Sequence, residues 1–429
     1  MENESNRKIA VDIFNAALQS VDPYKLVKSC SGYISAAYRE GHCNKLFLVS
    51  FGKAAFAMAK ALAESIPDII TKGIIITKYG HAQGKLTDNI DIFEAGHPVP
   101  DEKGVAATQN VINMLKSGDR QTLMLCLISG GGSALLVAPC NGITINEKKI
   151  VTELLLKAGA DINELNTVRK HVSAIKGGKL AEIAYPSKVI SLILSDVIGD
   201  SLDVIASGPT SPDKTTYGDA IRIIEKYDLT DKIPSHILSM LKEGSDEHPV
   251  IQGAKNIIIG SNKIAVEAAA QKAMESGFET TILSYEIQGE ARKAAEWLAG
   301  KAIETQNAKR ETGNGKICLV SGGETTVTVK GKGIGGRNTE LALAFSIKTA
   351  GMEGTTLLSA GTDGTDGPTD AAGAIVDGQT YNKAIAKGLD PVVYLEHNDS
   401  YTFFKNTGEL FVTGSTGTNV MDIQIILSA

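Results

Sequence analysis

An α/β protein of two domains, each a mostly parallel or mixed sheet flanked by helices, is the fold this sequence predicts. Two patterns carry that expectation. Short apolar runs alternate with longer amphipathic stretches, as βαβ units require. The runs are also dense in Val, Ile and Leu, as strands covered by helices on both faces must be. Length supplies a third observation: 429 residues, 43% of them hydrophobic, are enough for two or three separate cores.

Taken in order, apolar residues at helical spacing over 8–21 predict a first helix. Strands are expected at 46–50, 73–77, 90–94, 122–128 and 189–194. A second series is expected at 256–259, 280–283, 317–320, 326–329, 355–358 and 409–413, with helical patterns between several of its members. Between the two series the chain turns polar, through SGPTSPDKTTYGD and LKEGSDEHP. A boundary belongs there, giving a Rossmann-like domain over 1–243 and a second α/β domain over 244–429. No segment recurs at the roughly 20–50-residue period of solenoids and propellers.

Composition excludes several functions. The net charge is −6, with 49 acidic and 43 basic residues scattered throughout, so there is no basic stripe for a nucleic-acid partner. The five cysteines are odd in number and lack C-x-x-C spacing, which argues against a disulfide framework or thiolate zinc site and fits a reducing cytoplasm. No apolar stretch approaches the about 18 residues of a membrane span, and no signal-like segment opens the chain, so neither export nor a membrane partner is expected.

Four apolar runs end at similar glycine loops: LFLVSFGKAA at 46–55, LCLISGGGSA at 125–134, IIIGSNKIA at 257–265 and CLVSGGETT at 318–326. Glycine allows positive φ and close approach of a ligand to backbone N–H groups, and open α/β sheets bind ligands at the carboxyl ends of their strands. Candidate nucleotide or substrate contacts are therefore Ser50, Gly52, Ser129, Gly130, Gly131, Gly132, Ser133, Ser261, Asn262, Gly322, Gly323 and Glu324. Lys53, and Arg337 after Gly335-Gly336, each open a helical run. A cation in a first turn opposes the helix dipole unless it shares an anion with the helix N–H groups.

Two acidic loops complement these cations: SDVIGD, with Asp196 and Asp200, and GTDGTDGPTD, with Asp363, Asp366 and Asp370. Such carboxylates suit Mg²⁺ held jointly with phosphates, and Asp196 and Asp366 are the metal candidates. An Asp beside a substrate hydroxyl can also accept its proton. His97, in AGHPVPDEKG, and Arg169, in NTVRKHVSAIKGGKL, are further substrate candidates, although basic residues on a helix more often form a solvated face. GKGIGG at 331–336 fits the dinucleotide fingerprint, a weak signal by itself. No P-loop and no protein-kinase signature occurs.

Together SFGKAA, AGHPVPDEKG, ISGGGSALL, LNTVRKHVSAIKGGKLA, SDVIGD, ASGPTSPD, VSGGETTV, GGRNTELAL, SAGTDGTDGPTDAAGA and FVTGSTGTNVMDI resemble, in the same order, the class II glycerate kinases, whose C-terminal part is the MOFRL domain. The resemblance implies two α/β domains with the active site in the cleft between them. It implies ATP and a divalent cation, Mg²⁺ or another, phosphorylating D-glycerate, typically to 2-phosphoglycerate. Carried over by motif, Lys53, Arg337 and Asp363 form the catalytic group and Asp196 lies near the metal. The alternatives are an NAD(P)H-dependent hydroxypyruvate reductase, which lacks the acidic residue expected about 20 positions after Gly336, and a non-catalytic sugar-acid or nucleotide sensor. The oligomeric state, a homo-oligomer included, is open.

Overall fold

The computed structural model describes residues 2–245, 253–312 and 315–429. They form two compact units: Pro23–Ile259, and Met1–Asp22 together with Gly260–Ala429. The first unit contains β1 (Lys45–Phe51), β2 (Ile70–Lys78), β3 (Ile90–Ala95), β4 (Thr122–Ile128), β5 (Lys188–Leu194) and β6 (Ala254–Gly260), in the order β3-β2-β1-β4-β5-β6. The ladders from β3 to β5 are all parallel. Every residue of β4 is buried, and so is all of β1 after Lys45, which explains their unbroken apolar runs. The chain winds outward from β1 to β3 and then returns to place β4 on the other side of β1. The ends of β1 and β4 therefore flank the point where strand order reverses, where open α/β sheets hold their ligands.

A helical subcluster completes this unit. Its helices Ile145–Ala158, Ile162–His171 and Tyr217–Lys226 each begin with a capping box, set by Thr144/Glu147, Asp161/Glu164 and Thr216/Asp219. Their apolar faces meet around Val151, Leu155, Val168 and Ile224.

The second unit contains β7 (Glu279–Ile287), β8 (Ile317–Gly323), β9 (Thr355–Gly361), β10 (Gly373–Asp377), β11 (Leu410–Phe411) and β12 (Asp422–Ser428), in the order β11-β10-β9-β12-β8-β7. The sheet is mixed. β7 and β8 run parallel, whereas β12 lies antiparallel between β8 and β9. Helices Ala291–Thr312 and Arg337–Lys348 bury Leu298, Leu341 and Phe345 in its core.

Several expectations need correction. The run at 256–259 is the outer strand of the first sheet, not the start of the second, so the division falls at residues 259/260 and not near 244. The first helix, Glu2–Ser20, packs on the second unit. Its Ala10, Ile13, Phe14 and Ala17 are fully buried, Phe14 meets Phe411 edge-on at 5.3 Å, and Arg7 pairs with Asp377 at 2.9 Å and Glu409 at 2.8 Å. The segment 326–329 makes only an isolated bridge from Thr326 to Glu290. The run at 409–413 is a strand for only two residues. β10 and β12 are additions to the expected set.

Candidate active site

In the first unit the loops after β1 and β4 lock together. Gly52 has φ 121° and donates to Ile76 O at 3.2 Å, and a Cβ there would overlap Ser129 Oγ. Lys53 N–H donates to Gly130 O at 2.9 Å, and Ala54 N–H donates to Ser129 Oγ at 3.1 Å. The lysine is thereby fixed beside the glycine loop by its own backbone.

Three side chains meet at that loop. A Cβ on Gly131 would lie 2.8 Å from the His97 ring and 3.4 Å from Lys53 Cγ, and one on Gly130 would overlap the Asp196 carboxylate. Lys53, His97 and Asp196 thus converge from the ends of three strands. Among the described residues the N–H groups of Gly130 and Gly131 have no hydrogen-bond partner, so the loop beside this cluster keeps two adjacent open donors.

Other expected contacts are spent on structure. Gly132 N–H bonds Ser129 O at 3.2 Å, and a Cβ on Gly132 would lie 2.9 Å from the Phe51 ring. Ser50 is fully buried and donates to Ala55 O at 2.8 Å. Ser133 N–H is likewise without a partner among the described residues, so the cradle has three free N–H groups, at Gly130, Gly131 and Ser133, where four residues were expected to donate.

Electrostatics follow from burial. Desolvation, then the charges of Lys53 and Lys78, hold the His97 imidazole down to about 4, so it is neutral near pH 7. Burial pushes the Asp196 carboxyl up while Lys53 pulls it down. A base whose folded pKa is depressed binds fewer protons folded than unfolded between that value and about 6.5. Stability should therefore rise with pH across that window. The Tm of the wild type should gain more between pH 4.5 and 6.5 than that of His97→Asn, and equal gains would refute the assignment. At Gly131, φ 81° is left-handed. Gly131→Ala should cost about 1–3 kcal/mol in urea denaturation.

Sequence reasoning missed Ser207 and read Lys176 only as one cation of the basic stretch NTVRKHVSAIKGGKL. Lys176 is buried and donates to Ser133 O at 3.0 Å, Ser133 Oγ at 3.2 Å and Ala206 O at 3.3 Å. Ser207 bonds Ser133 Oγ at 2.7 Å from a left-handed backbone (φ 61°), next to Ala206 at φ 52°. Two consecutive non-glycine residues in that region mark a locally constrained site. The signal lay in the basic run after Asn166, whose charges are largely buried here and not on a solvated face.

In the second unit Arg337 opens its helix and chelates Asp422, Nε to Oδ2 at 2.5 Å and Nη2 to Oδ1 at 2.9 Å, while Nη1 meets Glu324 at 2.7 Å. Burial opposes the guanidinium's charge, but Asp422 and Glu324 outweigh it and hold the group above its ordinary range. A Cβ on Gly361 would lie 3.4 Å from both Asp363 Oδ1 and Asp422 Oδ1. The structure therefore brings Arg337 and Asp363 to one neighbourhood, with Asp422, unanticipated, between them.

Asn262 supports that arrangement. It is buried and donates to the carbonyls of Val420 (2.8 Å) and Asp422 (2.9 Å), pinning the start of β12. Its neighbour Ser261 is the buried N-cap residue of the helix Asn262–Glu275. The glycines here make room for packing. A Cβ on Gly322 would overlap Asn262, on Gly323 Ile287, on Gly335 Ser400 and on Gly336 Asp366.

Asp366 is not placed as a metal ligand. It is buried, with its carboxyl pushed up to about 6 by burial, and accepts from Asn338 N at 2.9 Å, Thr339 N at 2.8 Å and Thr339 Oγ1 at 2.8 Å, capping the helix Arg337–Lys348. Among the described residues no three His, Cys, Asp or Glu side chains assemble a metal cage. Asp196 is a single carboxylate beside Lys53. No described helix is long and apolar enough to cross a membrane.

Comparison with known proteins matches residues 9–242 to a family described as a domain of unknown function (DUF4147), and residues 317–422 to the MOFRL family. The chain is 43% identical to the D-glycerate 2-kinase of Thermotoga maritima over 98% of both chains. It is 40% identical to a putative hydroxypyruvate reductase of Agrobacterium vitis, covering 99% of this chain and 94% of that one. The crystal structure of a Thermotoga maritima glycerate kinase superposes with a TM-score of 0.92, covering 99% of this chain and 100% of the other.

Proposed function

We infer, from the premise that this chain belongs to the family of class II glycerate kinases, that it transfers the γ-phosphoryl group of ATP to an alcohol oxygen of D-glycerate, giving 2-phosphoglycerate. The observation that carries the reading is Lys53 fixed beside the glycine loop whose Gly130 and Gly131 N–H groups are open, in a chain 43% identical to a D-glycerate 2-kinase along nearly its whole length.

Phosphoryl transfer asks mainly for positioning and charge neutralisation. Lys53 and the two N–H groups supply positive potential for phosphate oxygens, and neutral His97 adds a hydrogen bond without a charge that would titrate. Arg337 supplies a second cation, with Asp422 as its fixed counter-ion. Glu324, whose side chain is 43% exposed, is the partner an incoming anion would replace. Asp363 uses one carboxylate oxygen on Thr365 N and Oγ1, each at 3.0 Å, which orients the group to accept the proton of the glycerate hydroxyl. That O–H bond breaks as the new O–P bond forms, and the γ-phosphorus leaves the bridging oxygen, whose electrons stay with ADP. Asp196 would be the protein carboxylate of a magnesium ion bound with the nucleotide, and that ion would supply further charge neutralisation. Asp366, committed to its helix, does not fit that role.

The name of the Agrobacterium relative raises a reductase reading, but the local geometry opposes it. GKGIGG follows no strand, and its last two glycines pack against Ser400 and Asp366, not in a dinucleotide turn. Incubation with D-glycerate, ATP and Mg²⁺ should yield 2-phosphoglycerate by ³¹P NMR. NADH oxidation with hydroxypyruvate, and no phosphoglycerate, would overturn the kinase reading.

A further inference from the structure

The helical subcluster of the first unit buries cations with no matching acids. Lys148, on the helix Ile145–Ala158, is 4% exposed, and its Nζ has no hydrogen-bond partner. Arg169 comes from the last turn of the helix Ile162–His171, where burial weakens its charge and no carboxylate offsets the loss. Lys176 is 1% exposed and bonds only to Ser133 and the Ala206 carbonyl. The three repel one another: Arg169 disfavours the charge on both lysines, and Lys148 disfavours that on Lys176.

The neighbouring charges are already matched. Lys170 pairs with Asp213 at 2.7 Å and Asp203 at 3.9 Å. Lys179 donates to the carbonyls of Lys170 at 3.0 Å and Ser173 at 2.8 Å. Burying an ammonium without a partner is costly, and proteins rarely do it except where an anion completes the site. Lys176 also ties this cluster, through Ser133, to the glycine loop that carries Gly130 and Gly131.

We propose that Lys148 and Arg169, backed by Lys176, form the seat for the carboxylate of the hydroxy-acid substrate, which would place its hydroxyl toward the glycine loop. The proposal rests on the glycerate-kinase reading for the identity of that acid. The seat itself rests on the unpartnered buried lysine and the cations around it. A carboxylate there takes the Lys148 ammonium and the Arg169 fork as donors and converts mutual repulsion into attraction.

The test uses the full chain, titrated calorimetrically with D-glycerate, uncharged glycerol and inorganic phosphate, with and without ADP. The wild type should bind D-glycerate and not glycerol. Lys148→Met and Arg169→Gln should weaken D-glycerate about 10–100-fold, as loss of a charged hydrogen bond does. KM for glycerate should rise in parallel while KM for ATP holds. Lys148→Met should also fold without anion, melting no lower than the wild type, because it removes an unpaired buried charge.

Unchanged D-glycerate affinity in both variants overturns the proposal, as does absence of D-glycerate binding by the wild type with and without ADP. If phosphate alone becomes Lys148-dependent, the seat holds a phosphoryl group and the carboxylate assignment is overturned. Lys148-dependent D-glycerate binding without phosphoglycerate formation would support the seat and sink the kinase reading instead.

Discussion

Lys53→Met should lower kcat by about 10²–10³, the scale of losing one preorganised electrostatic group at a transition state, while leaving the fold intact. The expectation of an intact fold comes from the backbone. The contacts that lock the loop are Lys53 N–H to Gly130 O and Ala54 N–H to Ser129 Oγ, and neither uses the lysine side chain. Lys53 depresses both His97 and Asp196, so removing its charge should let both pKa values rise. An NMR titration of His97 that moves upward in the variant would show that the ammonium acts on this cluster. Near-normal turnover together with an unmoved His97 would remove Lys53 from the mechanism.

Arg337→Met should cost about 3–5 kcal/mol of stability as well as activity, because it leaves Asp422, a fully buried carboxylate, without its partner. Against a typical domain stability of roughly 5–15 kcal/mol this is a large fraction. The double variant Arg337→Met/Asp422→Leu separates the two effects. It should recover most of the stability, measured by urea denaturation, and none of the turnover. Recovery of both would reduce Arg337 to a structural ion pair. Combining Lys53→Met with Arg337→Met should cost less kcat than the product of the single losses, as groups serving one transition state do.

Legibility in the sequence followed burial in the first sheet but not in the second, where β10 and β12 are buried throughout and were still not legible as strands. The first sheet could be read because β1, β2, β4 and β5 are buried over most of their length and so appear as continuous apolar runs. The mixed sheet could be read only in part, since β10 is five residues long and follows directly on a turn-rich loop. Nothing local in residues 2–20 says which sheet their apolar stripe will cover, so that helix was assigned to the wrong unit.

The same limit applied to the site. Lys53, His97 and Asp196 lie at strand ends where topology brings loops together, and a sequence shows strand ends. Glycine letters cannot distinguish room for a ligand, as at Gly131, from room for a neighbouring side chain, as at Gly322, Gly335 and Gly336. Asp363 and Asp366 stand three residues apart in one motif, yet one turns a carboxylate oxygen back on Thr365 and the other caps a helix. Lys148 was invisible as a site residue because a lysine on an amphipathic helix looks solvated in a sequence, and the basic stretch that holds Lys176 reads the same way.

The ion pair from Arg7 to Glu409 spans 402 positions of the chain, and β12, the strand between β8 and β9, is made after every other strand of its sheet. Pro23–Ile259 can assemble while synthesis continues, whereas the other unit waits until β12 has been made. Until then the buried stripe of the leading helix has no docking surface and is exposed to chaperones and proteases. Ending the chain within β12 should therefore cost soluble yield out of proportion to the residues lost.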